Sequence, residues 1–170
     1  MFNDKYGLTE AVLNGRKTQT RRLVPNGTPI GNWVETEAHA HFKVGEVVAV
    51  AQSYNSIWQH VGYMTAEEAN VTPGYRNKMF VKAELMPHHI RITNIRVERL
   101  QDISDEDCLA EGIYEALEAP WNDKVYGFVG GNFDFNTPRN AYAALIDKVS
   151  GKGTWDSNPY VFVYDFDLVD

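Results

Sequence analysis

The stretch "HIRITNIRVERL" (89–100) constrains the fold more than any other: Ile90 and Ile92, then Ile95 and Val97, alternate with Arg91, Arg96 and Glu98. Alternation of period two marks an extended strand with one buried face. At Thr93-Asn94 the alternation restarts one residue late. Such a slip is the sequence trace of a bulge, and a bulge bends the strand that carries it. A curved sheet is expected.

Other segments supply partners for that strand. "YVFVYDFDLV" (160–169) sets Val161 and Val163, then Phe166 and Leu168, at strand spacing, and is expected to close the sheet. "GEVVAVAQ" follows a turn glycine and predicts a buried strand over 46–52. "KMFVKAEL" alternates Met79, Val81 and Ala83 against Lys78, Phe80, Lys82 and Glu84, which predicts a strand with one solvated face.

Helices are expected at three places. Leu8, Ala11 and Val12 make an apolar helical face over 5–14, with Gly15 as a stop. Ser104 followed by Asp105, Glu106 and Asp107 is a strong helix entry, so 105–111 is read as helix. Thr137-Pro138 repeats the entry signal, and Ala141, Ala144, Leu145 and Val149 form an apolar stripe ending near Gly151. Strands interrupted by helices without a regular repeat argue for the α+β class, a small mixed sheet or barrel. The 170 residues suit one domain, 1–170, with inserted loops near 23–42, 53–77 and 114–136.

Composition narrows the classes further. Hydrophobic residues make up 44% and aromatics 12% of the chain, enough for a core and too much for a disordered segment. The single cysteine, Cys108, excludes an internal disulfide and a multi-thiolate metal site, and fits a reducing compartment. No basic flank precedes a long apolar run near residue 1, and no stretch approaches 18 apolar residues. A cytoplasmic protein without membrane association or cofactor is expected.

The net charge of −7 hides an asymmetry. Residues 1–100 hold 12 Lys+Arg against 9 Asp+Glu, whereas residues 101–170 hold 4 against 14. Screening confines each charge to about 8–10 Å, so a local basic surface is compatible with an acidic chain. The densest such patch runs Arg16, Lys17, Thr18, Gln19, Thr20, Arg21 and Arg22. Guanidinium forks hold phosphate oxygens in pairs, and neighbouring cations make Lys17 easier to deprotonate. A solvated basic loop has the same composition. Lys17 and Thr20 meet across a turn but diverge along an extended backbone.

Among other candidates, Tyr54 and Trp58 follow the 46–52 strand, where a ring can stack on a base or simply fill the core. His39 with His41, and His88 with His89, lack acidic partners at metal-ligand spacing, so no metal site is assigned. Cys108 beside Leu109 reads as core.

"GRKTQTRR" resembles the signature of the ASCH domain, a relative of the PUA fold, G-x-K-x-x-E-x-R; Gly15, Lys17 and Arg22 match it. Thr20 stands where many members have glutamate; the ASCH amidohydrolases that deacylate N4-acetylcytidine have threonine there, and their lysine and threonine align with Lys17 and Thr20. Aligning "SDEDCLAEGI" with the helix that carries their glutamate places it at Glu111. "VERLQDISDEDCLAEGI" and "NPYVFVYDFDLV" are also similar to phage and bacterial ASCH proteins.

The resemblance implies a PUA-like curved β-barrel whose cleft gathers Lys17, Thr20 and Glu111; from the basic patch and the aromatics after the 46–52 strand, Arg16, Arg21, Arg22, Tyr54 and Trp58 are the expected ligand contacts. Three functions stay open. The first is binding of RNA, a nucleotide or a modified nucleoside in a basic cleft. The second is an amidohydrolase of N4-acylated cytidine, in which Lys17 takes the Thr20 proton and protonated Glu111 serves the departing amine. The third is a non-catalytic protein-interaction domain. Catalysis requires Lys17 to titrate some three units below its free value, a difference of about 4 kcal/mol, and so requires burial.

Overall fold

A computed structural model of the chain describes residues 2–118 and 123–169. The strands among the described residues are β1 Gln19–Leu23, β2 Val47–Ala49, β3 His89–Arg99, β4 Tyr114–Glu118, β5 Asp123–Gly127 and β6 Tyr160–Leu168. The α-helices among them are α1 Leu8–Leu13, α2 Trp33–Ala38, α3 Trp58–Val61, α4 Ala66–Val71, α5 Asp105–Ala110, α6 Pro138–Ser150 and α7 Thr154–Ser157. The class is α+β. Four strands pair antiparallel in the order β1-β6-β3-β2 and curl into a half-barrel, while β4 and β5 make a separate hairpin.

The curl has the cause the sequence predicts. Between β3 and β6 the register steps from Ile92 opposite Phe166 to Asn94 opposite Asp165, leaving Thr93 as the extra residue of a bulge. Because β6 is flanked by β1 and β3 and covered on both faces, Val161, Phe162, Val163 and Tyr164 are all buried. Val161 and Val163 pack with Leu100, Ile103, Cys108, Ala141 and Leu145 beneath α5 and α6. Phe162, Tyr164 and Phe166 pack on the other face with Val12, Val50, Ile90 and Ile92.

Two of the expected helices form with their expected caps, whereas the helix expected over 5–14 is shorter, Leu8–Leu13, because Gly7 at φ 65° breaks it from a 3-10 turn at Asp4–Tyr6. The Ser104 hydroxyl accepts the Asp107 N–H at 3.1 Å, and the Thr137 hydroxyl accepts that of Asn140 at 3.1 Å. The 46–52 strand is shorter than expected, covering Val47–Ala49.

The expectation of a strand over 78–85 is corrected. The Asn77 carboxamide accepts the Met79 N–H at 2.9 Å, and Phe80 adopts a positive φ of 66°. An extended run cannot pass through that turn. The inserted segments are not structureless either: α2 lies within 23–42, α3 and α4 within 53–77, and the β4–β5 hairpin within 114–136. Residues 119–122 of the last segment lie outside the described residues. Among the described residues no helix is long and apolar enough to cross a membrane.

Candidate functional site

The segment read as a basic loop is largely an edge strand. Gln19 to Leu23 pair with β6, and β1 leaves its other edge open, bordered by α6. Just before it, the Lys17 N–H donates to the Ala11 carbonyl at 2.8 Å and the Thr18 N–H to the Ala110 carbonyl at 3.0 Å. The first bond folds the α1–β1 connection back on α1, and the second stitches it to the end of α5. Lys17 thereby meets Glu111, which closes that helix.

The Lys17 ammonium is buried and donates to Glu111 Oε2 at 2.5 Å, the Glu111 carbonyl at 2.8 Å and the Gln19 carbonyl at 2.6 Å. Those three acceptors use its three donors. Burial depresses the Lys17 pKa; the Glu111 charge and hydrogen bond oppose that, and Arg22 and Arg21 reinforce it. The net shift is downward, as a lysine base requires.

Beside the pair lies a chamber of about 290 Å³. Lys17, Thr20, Arg21, Arg22 and Glu111 line its polar side; Phe2, Leu8, Tyr142, Leu145, Ile146 and Val149 line the apolar side. Thus the three residues of the proposed chemistry reach one hollow, although Lys17 and Glu111 are 94 positions apart. Among the described residues no hydrogen bond joins the Thr20 hydroxyl to Lys17.

Arg21 has a different task from the one expected of an anion-binding cation. Its Nη2 donates to Glu98 Oε1 and Asp107 Oδ2, both at 2.7 Å, and its Nη1 to Gln19 Oε1 at 2.5 Å and Glu111 Oε1 at 3.3 Å. Burial works against its charge, but Glu111, Tyr142 and Glu98 outweigh it and raise its pKa. Arg96 extends the network, donating to Asp107 Oδ2 at 2.6 Å and Asp165 Oδ2 at 2.9 Å. Carboxylates from the acidic part of the chain therefore neutralise cations of the basic part.

Glu98, Asp107, Asp165 and Arg96 are members of this ion-pair network that the sequence reading did not place beside Lys17 and Arg21. The signal present was the shared parity of Asn94, Arg96 and Glu98 on the polar side of β3.

The remaining candidates lie elsewhere. Arg16 Nη1 donates to the Gly112 carbonyl at 2.7 Å, and its guanidinium lies 3.6 Å from the Tyr114 ring centroid, outside the chamber lining. Tyr54 is core, packed with Ile57 and Met86, and its hydroxyl accepts the Lys82 N–H at 2.9 Å. Trp58 is half exposed on α3 and does not line the chamber. His39 and His41 border a second groove of about 610 Å³ with Arg22, Phe42 and Tyr164. Among the described residues no three His, Cys, Asp or Glu side chains gather as a metal site. Cys108 is buried, and burial pushes its thiol up to about 12, which suits a core residue.

Gly112 holds the junction behind Glu111 at φ +108°, where a Cβ would stand 3.2 Å from Leu8 Cδ2 and 3.7 Å from Lys17 Cδ. Gly112→Ala is expected to cost about 1–3 kcal/mol through that backbone strain. Urea denaturation reads this; an unchanged midpoint would show the junction to be slack. Comparison of the chain with protein-family models, with curated proteins and with solved structures returns no match in any of the three.

Proposed function

We propose that the chamber is the active site of an amidohydrolase that cleaves the acyl group from a small N-acylated nucleobase or nucleoside, and that the chain is an ASCH-type protein with a PUA-like barrel. The observation that carries this reading is the Lys17–Glu111 pair, 2.5 Å apart with side-chain exposures of 1% and 6%, in a hollow that Thr20 also lines. Shelter supports the chemistry, because an exposed lysine stays protonated near neutral pH.

In this mechanism the ammonium proton of Lys17 passes to Glu111 Oε2 across their 2.5 Å contact, and the neutral amine so formed accepts the Thr20 proton. The Thr20 oxygen attacks the acyl carbon, and the tetrahedral intermediate collapses as Glu111 delivers a proton to the departing amine nitrogen. Water then hydrolyses the acyl-threonine: the Glu111 carboxylate takes the water proton as the oxygen adds to the acyl carbon, the bond to the Thr20 oxygen breaks, and Lys17 returns its proton to that oxygen, releasing the carboxylic acid and restoring the hydroxyl. Thr20 and Lys17 close up when the ligand seats, since catalytic contacts are often long before binding.

A second reading, binding of a nucleotide or RNA segment without cleavage, has one observation in its favour: Arg22 borders both the chamber and the aromatic groove beside Phe42 and Tyr164. The two are separated by incubating the protein with N4-acetylcytidine and following cytidine release. Wild type is expected to turn over, and Thr20→Val, which removes the hydroxyl and keeps the shape, to lose at least about 10³-fold. Persistence of intact substrate with folded wild type would eliminate the hydrolase reading. Affinity for RNA that falls with salt and with Arg22→Ala would then favour binding.

A further inference from the structure

Tyr142 sits on α6 in the apolar stripe and is only 2% exposed. Its ring is braced edge-on against Trp155, with centroids 6.3 Å apart. Trp155 is itself tied to α6, its backbone N–H donating to Asp147 Oδ1 at 2.8 Å. The ring is therefore held in place. Yet its hydroxyl is buried with no hydrogen-bond partner among the described residues. An unmade bond on a buried polar group is costly, and native folds rarely leave one without a reason. A phenylalanine would fill the same space without that cost.

Tyr142 lines the chamber together with Lys17, Thr20 and Glu111. Burial pushes its pKa well above the ordinary phenol value, and the Glu111 charge adds to that while Arg21 opposes it. The group thus stays protonated across the physiological range and offers a donor. What it lacks is an acceptor, and the chamber is where one can arrive. The Glu111 carboxylate, which lines the same chamber, is engaged by Lys17 at 2.5 Å and Arg21 at 3.3 Å.

We infer that the Tyr142 hydroxyl is the donor for the carbonyl oxygen of the ligand, making the chamber selective for compounds that carry an acyl oxygen at the cleaved bond. This rests on the hydrolase reading for its kinetic consequence. As the Thr20 oxygen adds to the acyl carbon, the carbonyl π pair moves onto oxygen, and a fixed donor there stabilises the charge where it develops. On collapse the pair returns to the carbonyl and the C–N bond breaks. Tyr142 keeps its proton throughout. It acts by hydrogen bonding, while Lys17 and Glu111 move the protons.

The test is Tyr142→Phe, which removes one oxygen from a site that already leaves it unpaired. Thermal melting is expected to stay level or rise. With N4-acetylcytidine, kcat is expected to drop by about 10²–10³-fold, the range for loss of one such donor, while KM changes much less. Wild-type turnover that Tyr142→Phe reproduces within threefold would overturn the assignment and leave the hydrolase reading intact. If wild type does not turn over, calorimetric binding of N4-acetylcytidine and N4-ethylcytidine decides. A preference for the acetyl compound that Tyr142→Phe abolishes upholds the donor role without hydrolysis. Equal binding of the two, or of neither, overturns it.

Discussion

Lys17→Met is expected to abolish turnover and to lower the melting temperature by roughly 6–20 °C. That range takes about 3–5 kcal/mol for breaking a buried pair and about 2–4 °C per kcal/mol for a chain of this size. Both effects start from one geometry. The Glu111 carboxylate, 6% exposed, loses the ammonium 2.5 Å away and keeps only the longer 3.3 Å contact from Arg21. The Gln19 and Glu111 carbonyls lose their donor as well. Methionine fills the stem's volume, so cavity formation contributes little.

The double variant Lys17→Met/Glu111→Gln separates the two effects. Neutralising both partners removes the stranded charge, so at least half of the lost stability is expected to return in thermal melts, whereas turnover stays absent. A double variant no more stable than the single one would show that the pair is not coupled. Turnover by Lys17→Met within tenfold of wild type would remove lysine from the mechanism.

The sheet was legible because its organising strands bury apolar side chains: the slip at Thr93-Asn94 is the β3 bulge, and Val161 to Phe166 form the central strand. β1 was not, since its buried residues are Gln19, Thr20 and Arg21, and a strand buried through ion pairs leaves no hydrophobic alternation to read. The same cause hid half of the site. Lys17 and Thr20 stood out in a local cluster and Glu111 only through the resemblance, whereas Glu98, Asp107 and Asp165 are selected by cross-strand and helix–sheet register, which only the folded chain creates. Tyr54 shows the opposite failure. An aromatic after a strand suits a stacking platform and a core equally, and its hydroxyl is bound to the Lys82 amide, deep in the insertion's own cluster.

Arg21→Met is expected to be at least as destabilising as Lys17→Met. One fully buried guanidinium serves the carboxylates of Glu98, Asp107 and Glu111 together with the Gln19 carboxamide. Losing it leaves Glu98 and Asp107 sharing the part-buried Arg96, at 3.2 and 2.6 Å, and Glu111 with the Lys17 contact at 2.5 Å, at a cost on the order of 3–5 kcal/mol for the broken buried network. Arg21→Lys is expected to rescue less than half of that, because three donors on a compact ammonium cannot replace a five-donor fork spread over four residues. Urea denaturation at pH 7 measures both; a lysine variant as stable as wild type would show that charge alone matters.

Acid titration tests the network's reach. For Asp165, burial favours the neutral form, but hydrogen bonds from Asn94 and Gln19 and the charge of Arg96 outweigh it and hold its pKa below the usual value. A carboxyl held low in the folded state adds stability that is complete above its unfolded pKa, about 3.9, and lost as pH falls through the lower folded value. Gln19 is oriented by Arg21 and donates to Asp165 Oδ1 at 2.6 Å. Without Arg21 that carboxamide loses its anchor, the Asp165 pKa moves back toward the unfolded value, and the acid limb becomes shallower. Denaturation midpoints between pH 5 and 2 are therefore expected to fall less steeply in Arg21→Met than in wild type. Equal slopes would disconnect Asp165 from Arg21 and reduce the network to independent pairs.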